Sequence, residues 1–170
     1  MAISLYDISV RSFLQTLGGV AGYLEKAKGH LGEGAEAALD ARLHADMWPL
    51  RAQVISVEHH SRGAIAGVQA GVFRPPNFNA EYDYAGLQAL IAGAIAELKA
   101  LTPEAVNALE GKDMVFELGP RQMPFVSHDF LQSFSLPNFH FHATTAYGIL
   151  RHVGVPLGKR DYLGAMRIKA

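Results

Sequence analysis

A chain of 170 residues is of a length that one domain with one sizeable core can use. Its 49% hydrophobic and 18% charged content and formal charge of -1 fit an ordinary globular protein, with neither a basic stripe for nucleic acid nor an acidic solvating block. Cysteine is absent, which removes disulfides, thiolate metal ligands and a cysteine nucleophile, and is compatible with the cytosol.

Asp7 and Arg11 interrupt the stretch where a signal peptide would need a continuous apolar region. A first helix is expected from Ser4, an N-cap with Asp7 three residues on. Val10, Phe13, Leu14, Leu17, Val20, Ala21 and Leu24 then recur at spacings of three and four. Within it, "GGVAG" reads as close helix packing, and "GHLGEGAE" ends it. A loop or short helix follows before "DMWPL" sets Pro49 near the first turn of a second helix. That helix is expected to run to about Gln69, where "AGVFRPPNFN" breaks it. The break is long enough to carry the chain to the far end of a bundle. A third helix is expected roughly from Glu81 to Leu101, and "TPEAVNAL" reads as a Thr102 cap, Pro103 in the first turn, and a short extra helix.

"DMVFEL" and "MPFV" flank "GPRQ", the pattern of a small hairpin whose second arm, carrying Pro124, lies at an edge. Ser127 is expected to cap a fourth helix that continues to Val153 and stops at Gly154. Its uncharged run from Phe130 to Leu150 has the ~20 residues that span a bilayer. Gln132, Asn138, His140, His142, Thr144 and Thr145, with Pro137, would make lipid burial costly. A buried helix in a globular bundle is the better reading. In the tail "GVPLGKRDYLG", Val155, Leu157, Tyr162 and Leu163 favour burial, and Pro156 and Gly158 suit a sharp turn. The tail is therefore expected to fold back, anchored by Tyr162 and Leu163, with Lys159, Arg160 and Asp161 free to pair and one of them placed to close a pocket. The expected fold is all-α, a single domain over residues 1–170, with one small β-hairpin before the last long helix.

On a wheel of about 100° per residue, Phe139, Ala143, Ala146 and Leu150 of the fourth helix define an apolar arc. His142 falls inside that arc and Asn138 at its edge, while His140 and His152 point elsewhere. Asn138 and His142 are an i, i+4 pair, a spacing at which two helical side chains can share a ligand or a metal. The plainer reading is a buried histidine hydrogen-bonded to a neighbouring helix, with Asn138 or Thr145 satisfying the carbonyl that Pro137 frees. On the second helix, His60 and Gln53 flank one side of the apolar stripe, Glu58 flanks the other, and His59 points away. His60 could reach a site shared with His142, or be a solvated or hydrogen-bonded flank residue. His30, His44 and His128 read as surface or capping residues. A glycine-rich phosphate loop, a nucleophile elbow, HExxH and an EF-hand are all missing from the sequence. Paired carboxylates are missing from the inner helix faces, which counts against a di-iron bundle.

"LPNFHFHATTAYGILRHVGVPLGKRDYLG", with "SLYDISVRSFLQTL" and "LDARLHADMWPLRAQV", resembles an uncharacterised bacterial domain of unknown function within the DinB/YfiT-like superfamily. The resemblance implies a four-helix bundle in up-down-down-up order and a homodimer. It also implies a divalent metal, such as Zn or Ni, held by three histidines and used in some members to activate a small thiol. The paired positions of that site fall on Asn138 and His142, and the second-helix position falls near Val57, with His60 one turn later as a displaced substitute.

The first functional expectation is a cytoplasmic, dimeric DinB-like protein that binds a small molecule or serves in stress. Its pocket would be lined by Asn138, His142, Thr145, Gln53 and His60, and its metal site would be degenerate. The alternative is a divalent-metal enzyme, a thiol transferase or hydrolase, with His142 and His60 as ligands and water completing the shell. A third is a purely structural protein whose polar groups are core hydrogen-bonders.

Overall fold

Ser4 forms the expected box with Asp7: its hydroxyl accepts from Asp7 N at 3.2 Å, and the Asp7 carboxylate accepts from Ser4 N at 3.3 Å. The box caps only α1 (Leu5–Ile8), because Ser9 Oγ donates to Leu5 O at 2.6 Å and the chain bends there. The first long helix is α2 (Val10–Leu31). The computed structural model that shows these elements describes residues 3–78 and 80–169.

A single 3₁₀ turn and the short α3 (Ala35–Ala38) lead to α4 (Leu50–Glu58), which starts just after Pro49. A π-turn (His59–Gly63) widens the second long helix before it resumes as α5 (Ala64–Ala70). Ser61 sits in the middle of that turn, fully buried, and its hydroxyl donates to Val57 O at 2.7 Å and to Glu58 O at 3.0 Å. Carbonyls that the wider turn leaves without an amide partner are thereby satisfied. Gly71, at φ 73°, ends the helix in a left-handed cap.

The third long helix, α6 (Tyr84–Lys99), begins later than its apolar pattern implies. Asp83 is the N-cap, accepting from Gly86 N at 2.7 Å. α7 (Pro103–Asn107) follows with Thr102 as its cap, as expected.

The hairpin forms from β2 (Asp113–Leu118) and β3 (Arg121–Val126), with Pro124 on the edge strand. Its turn is tighter than expected: Arg121 and Gln122 belong to the strand, and Gly119 takes φ 58°. A further strand, β1 (Val72–Phe73), pairs in parallel with β2, matching Val72 to Val115. The fold is therefore mainly helical with a three-stranded sheet, in the order β1-β2-β3, and not all-α with a lone hairpin. Two residues of strand inside a segment that reads as a breaker leave no alternation to detect.

The fourth long helix is also interrupted. α8 (Ser127–Asp129) passes through a second π-turn (Phe130–Ser135) into α9 (Leu136–His152), with Pro137 in its first turn. Ser127 is not the cap. Its hydroxyl donates to Leu109 O at 2.6 Å and ties the helix start to the segment before the hairpin.

α2 packs against α6 and α9, and α4 packs against the same two, so the four long helices enclose one core. Phe13 of α2 meets Phe139 of α9 edge to face at 4.9 Å, and Tyr23 donates its hydroxyl proton to Ala143 O at 3.1 Å. Each fully buried leucine or phenylalanine of this core contributes about 1.5–3 kcal/mol. Among the described residues, no helix is long and apolar enough to cross a membrane.

The tail does fold back. Val155 and Leu157 are buried, and α10 (Lys159–Leu163) lies on α2. Leu163 O accepts from Gln15 Nε2 at 3.1 Å, Asp161 pairs with Lys26, and Tyr162 lies beside His140 and Tyr147. A Cβ at Gly19 would stand 2.4 Å from Tyr162 O, so the small-residue stretch of α2 admits the tail's backbone. None of Lys159, Arg160 and Asp161 lines the cleft at His142.

Candidate functional site

His142 of α9 and Gln53 of α4 face each other across the pair of long helices that meet most closely. The wheel places His142 on the inner face, and it is buried there. Gln53 Nε2 donates to Trp48 O at 3.0 Å, so its Oε1 is the atom that accepts from His142 Nδ1, at 2.7 Å. The network thus assigns the proton to Nδ1 and leaves Nε2 a bare acceptor. Among the described residues, Nε2 has no protein partner, and it is not sealed from solvent.

An open cleft of about 330 Å³ lies beside the His142 ring, lined by Asp46, Met47, Trp48, Gln53, Asn138, Phe141 and His142. Trp48 stacks on the His142 ring, with centroids 5.9 Å apart and planes 7° from parallel. Phe141, the residue before His142, is exposed and lines the cleft as well. Burial holds the His142 pKa down to about 4, so the ring is neutral at physiological pH.

His60 packs behind His142, with ring centroids 5.8 Å apart. Ser135 Oγ donates to His60 O at 3.0 Å and so accepts from His60 Nδ1, at 3.4 Å. These two bonds join the π-turns of the second and fourth long helices. Burial first, then the neighbouring His59 and His142, lower the His60 pKa to about 3. Two neutral imidazoles therefore sit back to back. Phe73, Phe116, Phe130 and Phe134 extend the ring packing to the sheet.

Three of the residues expected at the site, Asn138, His142 and Gln53, line the cleft, and two do not. His60 lies beneath it. Thr145 is buried with its hydroxyl donating to Phe141 O at 2.7 Å, a back-bond within its own helix. Asn138 donates its Nδ2 to Phe134 O at 2.7 Å, a bond to the carbonyl one turn back from itself and not to the one that Pro137 frees. His59 does not point away from the protein. It packs on Phe73 and its Nε2 contacts Arg74 O at 2.6 Å, because the chain returns through β1 to cover it. His140, outside the inner arc as expected, is half covered by Tyr162.

The wall residues are not among those expected. Trp48 is the single tryptophan of the chain, and a tryptophan just before a helix-opening proline is a signal that periodicity does not read. Phe141, 58% exposed, falls on the polar side of the wheel, and an outward phenylalanine there is itself a signal.

The model of DUF1993, a domain of unknown function, matches residues 5–163. The chain belongs to the DUF1993 family. A crystal structure of a DinB family member protein from Shewanella denitrificans is similar at 30% identity, with a TM-score of 0.82. The match covers 98% of this chain and 95% of that one, and sets the family within the DinB-like superfamily. None of the curated proteins matches the chain.

The three-histidine metal of that superfamily does not fit this DUF1993 chain. The positions that the resemblance implies fall near Val57, which is fully buried, on Asn138, engaged with Phe134 O, and on His142. Among the described residues, no three His, Cys, Asp or Glu side chains are grouped to hold a metal ion. A zinc site takes three or four protein donors; His60 stands beside His142, and His59, next to His60, has its Nε2 on Arg74 O.

Proposed function

We propose that this is a small-molecule-binding protein whose ligand seats in the cleft over His142, on a DinB-like four-helix bundle in up-down-down-up order. The observation that carries the reading is the state of His142. Its Nδ1–H is held by Gln53, it is neutral, its Nε2 has no protein partner among the described residues, and the ring lines a cleft with Trp48 and Phe141. An acceptor without a protein partner gives up its water when a ligand covers it, which is costly unless the ligand donates to it. Ligand sites commonly combine a mostly apolar wall with a few fixed polar groups.

The ligand supplies a hydrogen-bond donor to Nε2 and a flat or apolar body to Trp48 and Phe141. Gln53 fixes the tautomer, Ser135 and His60 hold the ring's other face, and the metal-dependent transferase chemistry of the superfamily is not used. In its cell, which we take to be bacterial, the protein works in the cytosol as a homodimer.

The test is a titration read by the fluorescence of Trp48, which stacks on His142. 2-Phenylethanol, which carries a donor, should perturb Trp48 and lose that effect in His142→Ala. Its methyl ether has the same body and no donor, and should bind at least several-fold more weakly. Equal binding of the two in the native protein, or an unchanged response in His142→Ala, would remove the proposed role of Nε2.

A further inference from the structure

Among the described residues, the side-chain polar groups that the cleft leaves open are acceptors, apart from the indole N–H of Trp48. His142 Nε2 is an acceptor. Asn138 has its Nδ2 on Phe134 O, and among the described residues its Oδ1 has no protein partner. Asp46 stands at the rim with its side chain 83% exposed, one carboxylate oxygen on His44 Nδ1 at 2.5 Å and the other open. Gln53 has both ends of its amide engaged.

Among the described residues, no lysine or arginine lines the cleft. Arg42 comes near through Met47, whose carbonyl accepts from its Nη1 at 3.4 Å, and Arg51 lies on the other side of Trp48 beside Asp40. The walls are π-faces, Trp48 at 49% and Phe141 at 58% exposure, with Phe78 supporting Trp48 at 4.5 Å. Indole is the strongest of the aromatic faces for a cation.

A ligand that meets two neutral acceptors, a carboxylate and two ring faces must bring N–H donors and positive charge. An anion would find Asp46 and no counter-charge. A purely apolar body would leave Nε2 and Oδ1 covered and unpaired.

Resting on the reading of this cleft as a ligand site, we propose that its ligand is a small organic ammonium. It is a primary amine, protonated in water, on a compact ring-bearing body. Its N–H groups donate to His142 Nε2 and Asn138 Oδ1, while its charge lies between the indole face of Trp48 and the carboxylate of Asp46. The cleft, at about 330 Å³, admits a molecule of one ring and a short chain.

The test compares three probes of one shape by isothermal titration calorimetry at low salt: phenethylammonium, 2-phenylethanol and 3-phenylpropionate. Phenethylammonium should bind at least tenfold tighter than the alcohol, and the carboxylate weakest. Asp46→Asn and Trp48→Leu alter exposed side chains and should stay folded by circular dichroism. Each should cut the ammonium-to-alcohol ratio several-fold. An alcohol that binds as tightly as the ammonium, or a ratio unchanged in both variants, overturns the ammonium proposal and leaves the cleft reading intact. No binding by any of the three overturns both.

Discussion

His142 Nδ1 lies 2.7 Å from Gln53 Oε1, and the same glutamine amide donates to the backbone of Trp48. One side chain thus fixes the tautomer of the histidine and the position of the cleft wall. Gln53→Leu keeps the bulk and removes the acceptor, leaving a buried N–H unpaired. It should cost about 1–3 kcal/mol in chemical denaturation. His142→Ala should cost a similar amount through the stranded glutamine. Gln53→Glu should instead raise the His142 pKa, because a carboxylate there favours the imidazolium. Histidine NMR titration reads that shift, and an unmoved pKa would show that the pair is not in contact.

The buried imidazoles set an acid limit on stability. Their folded pKa values, about 4 for His142 and about 3 for His60, lie below the ordinary value of 6.5. Above pH 6.5 both states are neutral and the groups contribute nothing to pH dependence. As the pH falls below 6.5, the unfolded chain takes protons that the folded chain refuses, so stability drops. Between pH 6 and pH 5 the two should together cost about 2 kcal/mol, roughly half from each. Denaturant unfolding at those two pH values checks this, with His60→Phe losing about 1 kcal/mol less than the native protein. A flat profile would mean that the rings are not buried neutral.

The docked tail should depend on one glycine. Gly19→Ala places a methyl group 2.4 Å from Tyr162 O, whereas a Cβ at Gly18 meets nothing within 4 Å. Gly18→Ala should stabilise α2 by up to about 1 kcal/mol. Gly19→Ala should release α10, seen as fast amide exchange at Tyr162 and Leu163. Deleting residues from Val155 onward should lower the melting temperature by several degrees, since ~1 kcal/mol moves a domain of this size by about 2–4 °C. Slow exchange through Leu163 in Gly19→Ala would contradict the close approach.

Assembly is tested by sedimentation equilibrium. Gly18 and Gly22 lie exposed on one face of α2 and leave it open to a second copy. A homodimer should give twice the mass of one chain at micromolar concentration, and the mass of one chain would rule it out.

Much of the helical frame was legible in the sequence, because caps and apolar spacing are local. Ser4 with Asp7, Thr102 with Pro103, and Gly154 mark helix ends by their own chemistry, and the wheel separated His142 from His140. The π-turns were not legible. Each depends on a partner far along the chain, the bond from Ser135 to the carbonyl of His60, and each rotates the residues after it. His59 was misplaced because Phe73 and Arg74 cover a face that the wheel leaves to solvent. β1 is a strand only because β2 lies beside it. Asn138, His142 and Gln53 could be chosen from helix faces, while Trp48 and Phe141 come to the cleft from a loop and an outward face that periodicity treats as solvent.

Everything proposed for the cleft depends on His142 presenting an unprotonated Nε2 to it. The ¹⁵N chemical shifts of the two ring nitrogens at pH 7, assigned by comparison with His142→Ala, read that state without any assumption about the ligand. A protonated, pyrrole-type Nδ1 is expected beside a bare, pyridine-type Nε2 that moves when 2-phenylethanol or phenethylammonium is added. A protonated Nε2, or a bare one that no donor-bearing probe moves, would contradict it.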